Sequence, residues 1–173
     1  MKKQFFRFMA GLIPAIALCM NAHAQIAESS LELNFKEYVF NEAIANSHEG
    51  EITNTRASKD FNKRFKPTDR ASWFELSDGY AVRCNVEGVD TKAYYDRKGR
   101  WYATIRSYDQ DKLPNDIRKQ VRSTYYDYTI YVVDEVTVGD VTAYLVKISD
   151  QKSLKTIRLV NGEMDVYEDY LKN

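Results

Sequence analysis

The 173-residue sequence holds two cysteines, two histidines and three prolines, and these scarcities remove whole classes of function. Cys19 and His23 sit in an N-terminal segment that reads as cleavable, so Cys84 and His48 are the only residues of their kind expected in the mature chain. A lone cysteine forms no intramolecular disulfide. One Cys and one His cannot assemble a Cys/His metal cluster, so no metal is expected. A Ser-His-Asp or Cys-His arrangement would have to recruit His48, which lies in the polar stretch Asn46-Ser47-His48-Glu49-Gly50 and reads as solvated. No glycine-rich phosphate loop opens a helix, and no cofactor is expected. Excess positive charge is missing too. Without Lys2, Lys3 and Arg7 the chain carries 22 basic against 25 acidic residues, a formal charge of −3, which argues against a nucleic-acid partner. No later run is apolar and long enough to span a membrane.

What is present begins with a basic head, an apolar run over residues 11–20 and the small-x-small signal Ala22-His23-Ala24. This is the pattern of a secretory signal peptide over residues 1–24, with cleavage before Gln25 and a periplasmic or secreted destination. Cys19 ends the apolar run and offers a lipoprotein reading, although Leu18 before it is bulkier than the usual small residue. Residues 25–53 form an N-terminal extension with mixed signals. Leu31, Leu33 and Phe35 alternate like a strand, while Phe35, Val39 and Ala43 recur like a helix face. We read it as a leader that docks on the domain.

From residue 54 one pattern occurs twice. Ala57, Phe61 and Phe65 make a helical stripe. Alternating runs follow, RASWFEL, YAVRCNV, DTKAYYD and RWYATIRSY, separated by turns at Ser77-Asp78-Gly79, Glu87-Gly88 and Arg97-Lys98-Gly99. Leu113-Pro114 opens the second helix, striped by Leu113, Ile117, Val121 and Tyr125. Then come TIYVVDEV, VTAYLVKIS, LKTIRLV and EMDVYEDY, with turns at Gly139-Asp140 and Asn161-Gly162. The sequence thus predicts an α+β fold: a tandem repeat of a helix plus a four-stranded antiparallel meander, over 54–108 and 109–173. Together the repeats form one long curved sheet with helices on one face.

The first repeat resembles the PepSY-like, beta-lactamase-inhibitor-like bacterial periplasmic proteins. The pieces that carry the resemblance are Trp73 before an Asp-Gly turn, Tyr80-Ala-Val, AYYDRKGRW and Leu113-Pro114. Tyr144-Leu-Val matches the middle strand of the second repeat, where Val160-Asn-Gly departs from the expected Asp-x-x-Gly turn. The resemblance covers about residues 54–170. It implies tandem helix-plus-four-strand units in an exported protein, many of whose relatives have no assigned activity. The named inhibitor of that fold grips its target enzyme with the open sheet face.

Strand faces follow from the turns. If Glu87-Gly88 is a two-residue turn, Val86 faces Val89, Cys84 faces Thr91, Val82 faces Ala93 and Tyr80 faces Tyr95. That face is apolar, belongs under the helix, and makes Cys84 a buried inert thiol. Continuing the alternation past Trp101 sends Ala103 and Ile105 inward and Tyr102, Thr104 and Arg106 outward beside Tyr94. The outward face then offers Tyr94, Tyr102, Arg83, Lys92 and Arg106, residue types that protein interfaces favour. Half-exposed strands favour tyrosine equally well. Trp73 joins them if Ser77-Asp78-Gly79 is a three-residue loop, and is core if Asp78-Gly79 is a two-residue turn. Asp96-Arg97-Lys98-Gly99 lacks alternating oxygen ligands and reads as a turn with Gly99 left-handed, not a calcium or phosphate loop. Asp165 and Asp169 share a face with Tyr167 in this alternation, opposite Glu168, and read as a solvated edge. Arg118, Lys119 and Arg122 read as a solvated helix face. The functional expectation is a monomeric, non-catalytic binding module. It would hold a protein or peptide of the cell envelope on its open face, by analogy a hydrolase it inhibits. The rival is a sensor of a small molecule or ion, or an accessory part of an envelope assembly.

Overall fold

The computed structural model describes residues 49–50, 53–67 and 70–172, all within one compact body spanning Val39–Asn173. The expected signal peptide, and the extension up to and including His48, lie outside the described residues.

The described elements are β1 (Glu49–Gly50), α1 (Thr55–Phe65), β2 (Ser72–Glu75), β3 (Gly79–Val86), β4 (Val89–Asp96) and β5 (Trp101–Tyr108). After a 3-10 turn at Gln110–Lys112 come α2 (Asn115–Thr124), β6 (Thr129–Val138), β7 (Val141–Ser149), β8 (Ser153–Val160) and β9 (Glu163–Leu171). Each strand pairs antiparallel with the next, so one nine-stranded sheet repeats the chain order. Two groups of a helix followed by four strands make up the α+β fold. We call them the first half (α1, β2–β5) and the second half (α2, β6–β9).

Local chemistry sets the helices. Asn54 caps α1 by accepting from the Arg56 and Ala57 amides at 3.1 Å each. Lys66 ends it in the left-handed region at φ 45°, and Pro67 blocks continuation. Ala57 and Phe61 are buried against Val82, Cys84, Ala93 and Tyr95. Phe61 meets Trp73 edge-on at 5.3 Å between centroids, and Trp73 lies 5.8 Å from Tyr95. The α2 stripe of Leu113, Ile117, Val121 and Tyr125 packs on Val89, Tyr108, Val133, Val146, Ile148 and Ile157. Val89 and Tyr95 fall on the same face of β4 by the two-residue alternation. Both helices therefore cover one face of the sheet, as the sequence predicts.

The β3–β4 hairpin has the register predicted from the sequence, Val86 opposite Val89 through Tyr80 opposite Tyr95. Its turn holds Glu87 and Gly88 at φ 54° and 76°, the mirror-image turn that suits the twist of two strands. Beyond Tyr95 the expected alternation fails. Tyr95 pairs with Trp101, but Tyr94 pairs with Ala103, so Tyr102 is an extra residue in a β-bulge. After it every side chain changes face: Ala103 and Ile105 leave the helix side, and Thr104 and Arg106 join it. Bulges at Tyr131 in β6 and Tyr167 in β9 do the same. The last one separates Asp165, opposite Arg158, from Asp169, opposite Lys155 on the other face. The expectation that these two carboxylates share a face is thereby corrected.

Candidate binding face

The face opposite α1 and α2 carries no described helix, and we call it the helix-free face. Its residues follow from the register, because directly opposed residues point the same way. Arg83 lies opposite Lys92 and Ala81 opposite Tyr94. Asp90, Ser107 and Asp134 follow one another across β4, β5 and β6. Lys147, Thr156 and Glu168 continue across β7, β8 and β9.

Four of the six candidate residues belong to this face, each in a different setting. Tyr102 is half-buried, its ring 6.2 Å from that of Tyr94. Tyr94 is only 1% exposed, and burial raises its hydroxyl pKa, with a smaller contribution from Asp90. Tyr94 thus supports Tyr102 from below. Arg83 is exposed and makes a bidentate pair with Asp90 at 2.9 and 3.0 Å. Lys92 is half-buried, and burial lowers its ammonium pKa while the Asp90 carboxylate opposes that shift.

The other two candidates lie on the helix side. Trp73 pairs with Val82 because Leu76 and Gly79 close a two-residue loop, Ser77-Asp78, through a 2.9 Å hydrogen bond to the Gly79 carbonyl. Gly79 serves close approach there: a Cβ would sit 2.0 Å from the Tyr95 carbonyl oxygen. Arg106 is carried across by the Tyr102 bulge. It donates to Glu135 at 3.2 Å, and Tyr108 donates to the same carboxylate at 2.6 Å. Cys84 is buried, and desolvation pushes its thiol up to about 11. Among the described residues no group of three or more His, Cys, Asp or Glu converges on a metal position, and no helix is long and apolar enough to cross a membrane.

The 96–99 loop is structural. Asp96 accepts from the Lys98 and Arg100 amides at 2.9 Å each, and the Arg100 amide bond chiefly holds its carboxyl below the usual range. Gly99 has φ 72°. A Cβ on it would meet Asn54 Oδ1 at 2.4 Å, and the Asn54 amide donates to the Arg97 carbonyl at 3.2 Å. The turn therefore braces the cap of α1.

Two features of this face escape the sequence pattern. One is a buried polar link in its middle. Asp134, 4% exposed, accepts from Ser107 Oγ at 2.6 Å and from Lys147 Nζ at 2.9 Å. The other is where large apolar side chains reach solvent. Among the described residues the exposed large apolar ones are Tyr126, Tyr131, Val166, Tyr167, Tyr170 and Leu171; all belong to the second half, and Val166, opposite Ile157, and Leu171, opposite Ser153, lie on the helix side. Consecutive polar and apolar letters in β6 and β9 conceal this, because each strand contains a bulge.

The sequence matches no protein-family model and no curated protein. Solved structures share the fold. A BLIP-like protein from Bacteroides fragilis has a TM-score of 0.56 at 14% identity, over 70% of this chain and 89% of that one. A DUF2874 family protein from Bacteroides ovatus has a TM-score of 0.57 at 13% identity, over 70% and 89%. A Bacteroides eggerthii structure provisionally named periplasmic has a TM-score of 0.56 at 12% identity, over 70% and 90%. At these identities the likeness is one of fold, and the fold it establishes is that of the BLIP-like and DUF2874 structures.

Proposed function

We propose that the protein is a non-catalytic binding module of the cell envelope that holds a protein or peptide partner on its helix-free face. The observation that carries this reading is the one-sided architecture. Both described helices pack on the same face of an unbroken sheet, and the other face presents Arg83, exposed, and Lys92 and Tyr102, half-buried, around a buried middle that includes Ala81, Tyr94, Ile105 and Leu145. Arg83, Lys92 and Tyr102 are the contacts proposed in the first half, with Tyr94 as the support beneath Tyr102. Tyrosine and arginine offer large contact area with a polar end. The N-terminal signal pattern and the provisional periplasmic name of a structure with this fold support an envelope location. The BLIP-like fold supports a protein partner, with inhibition of an envelope hydrolase as the specific form of that reading. The PepSY-like resemblance rests on the sequence motifs alone.

Capture from an envelope extract tests this. Immobilised protein should retain one stoichiometric partner. Tyr102→Ala and Lys92→Ala should weaken retention, by about 1–2 kcal/mol for at least one of them. Lys119→Ala, on exposed α2 surface, should leave it unchanged. Loss of retention with Lys119→Ala alone would move the site to the helix side, and retention of no protein would favour a small-molecule sensor.

A further inference from the structure

A cleft of about 650 Å³ opens at the end of the second half, lined by Asp127, Thr129, Tyr131, Ser149, Gln151 and Leu154 together with Asp150. It belongs to the helix-free face. Thr129 pairs with Ser149, Ser149 with Leu154, and Leu154 with Tyr170, a row across four strands. Asp127 projects from the turn closed by the Tyr128 amide on the Tyr125 carbonyl at 3.2 Å. Tyr131 is the bulge residue of β6 and is 48% exposed.

Some of this lining is already occupied. Lys172 Nζ donates to Ser149 Oγ at 2.7 Å and to the Asp150 carbonyl at 2.5 Å. The Asp150 carboxylate accepts from the Lys152 and Ser153 amides at 2.8 and 2.6 Å. The Asp127 carboxylate and the Tyr131 ring make no such contact among the described residues.

What they lack is visible elsewhere in the same protein. Arg158 forks onto Asp165 at 3.0 and 3.1 Å with its guanidinium 5.6 Å from the Tyr167 ring centre. Arg106 joins Glu135 at 3.2 Å and lies 5.9 Å from Tyr108. Arg64 joins Asp60 at 3.1 Å and lies 4.4 Å from Trp101. Three arginines are thus each held between a carboxylate and an aromatic ring. The cleft supplies a carboxylate and a ring without the arginine. A guanidinium satisfies both at once, because its edge forks onto a carboxylate while its flat face stacks on a ring.

We propose that this cleft receives an arginine side chain of the partner, between the Asp127 carboxylate and the Tyr131 ring. The inference rests on the helix-free face as the binding surface, yet its test needs no partner protein. The whole protein, labelled with nitrogen-15, is titrated with acetyl-Gly-Arg-Gly-amide and with the citrulline peptide, which keeps the shape and removes the charge. The arginine peptide should give saturable amide shifts over residues 127–131 and 149–154, with the citrulline peptide about tenfold weaker. Asp127→Asn should weaken the arginine peptide to about the same degree. Tyr131→Leu should weaken it about fivefold, while Tyr131→Phe keeps the ring and binds as the parent does. Equal binding of the citrulline peptide, binding indifferent to Asp127→Asn, or no saturable shift would overturn the assignment. Saturable arginine binding without any captured envelope partner would uphold the cleft and refute the proposed function. A captured partner with a silent cleft would do the reverse.

Discussion

In the first half of the sheet α1 closes over rings: Phe61, Phe65, Trp73, Tyr95 and Trp101 form one cluster with Val82, Cys84 and Ala93. In the second half the most deeply buried side chains under α2 are aliphatic, Val133, Val146, Ile148, Ile157 and Leu159, with the rings of Tyr108, Tyr125, Tyr128 and Tyr144 packed around them. The surfaces are reversed. Tyr94 and Tyr95 are 1% and 0% exposed, whereas Tyr131, Tyr167 and Tyr170 are 48%, 37% and 58% exposed. The two halves thus place their strand tyrosines differently, buried at Tyr94 and Tyr95 and exposed at Tyr131, Tyr167 and Tyr170. Tyrosine count along a strand is therefore a poor guide to where a partner could land.

The two cores can be broken separately. Phe61→Ala should cost about 3–5 kcal/mol, since it empties the centre of the first cluster. Ile157→Ala in the second should cost about 2–5 kcal/mol. Chemical denaturation of each should show one transition, because β5 and β6 pair over six residues and tie the halves into one sheet. Two transitions would mean that the halves fold independently.

The contrast in tyrosine exposure gives the next largest effect. Tyr94→Ala removes a fully buried ring and should cost about 3 kcal/mol by the scale of aromatic-to-alanine changes. Tyr170→Ala, on an exposed edge, should stay within about 0.5 kcal/mol. Equal thermal shifts for the two would erase the difference between the halves.

Glycine turns sharpen the comparison further. Gly99 and Gly139 both have positive φ, 72° and 56°, so each alanine should cost on the order of 1 kcal/mol in backbone strain. Only Gly99 has Asn54 in the way, at 2.4 Å from a Cβ, while nothing lies within 4 Å of Gly139. Gly99→Ala should therefore melt lower than Gly139→Ala, and equal melting temperatures would separate the turn from the α1 cap.

The smallest effect is acid sensitivity, shared by both halves. Asp96 and Asp150 are each held below the usual carboxylate range, chiefly by the Arg100 and Lys152 amides. A depressed folded-state pKa contributes stability that is present above the unfolded value, about 3.9, and is lost as pH falls through the folded one. Melting temperature should thus decline below about pH 4. Asp96→Asn and Asp150→Asn should each lower it at neutral pH and flatten the acid decline.

Much of the fold was legible in the sequence, because Glu87-Gly88 and Asn161-Gly162 are turn dipeptides that fix a register directly. The helix stripes at Ala57, Phe61 and Phe65 and at Leu113, Ile117 and Val121 were equally plain. The candidate face was legible only up to Tyr95. An extra residue at Tyr102, Tyr131 or Tyr167 leaves no mark in composition, yet each reverses every side chain beyond it. Arg106 and Asp169 were misplaced for that reason alone. Trp73 hung on whether the loop held two residues or three; it holds two, and they are Ser77-Asp78 rather than Asp78-Gly79, because Gly79 belongs to β3 and lies against the Tyr95 carbonyl. The Asp134–Lys147 pair was hidden because single polar letters inside apolar runs look like faults in the alternation.

The central claim is that partners meet the face opposite the helices. Hydroxyl-radical footprinting of the protein, free and then bound to the species it captures from an envelope extract, tests that claim most directly. Tyr102, Tyr131 and Tyr170 should lose reactivity on binding while Phe65 of α1 and Ile117 of α2 keep theirs. Protection confined to α1 and α2, with Tyr131 and Tyr170 as reactive as before, would contradict it.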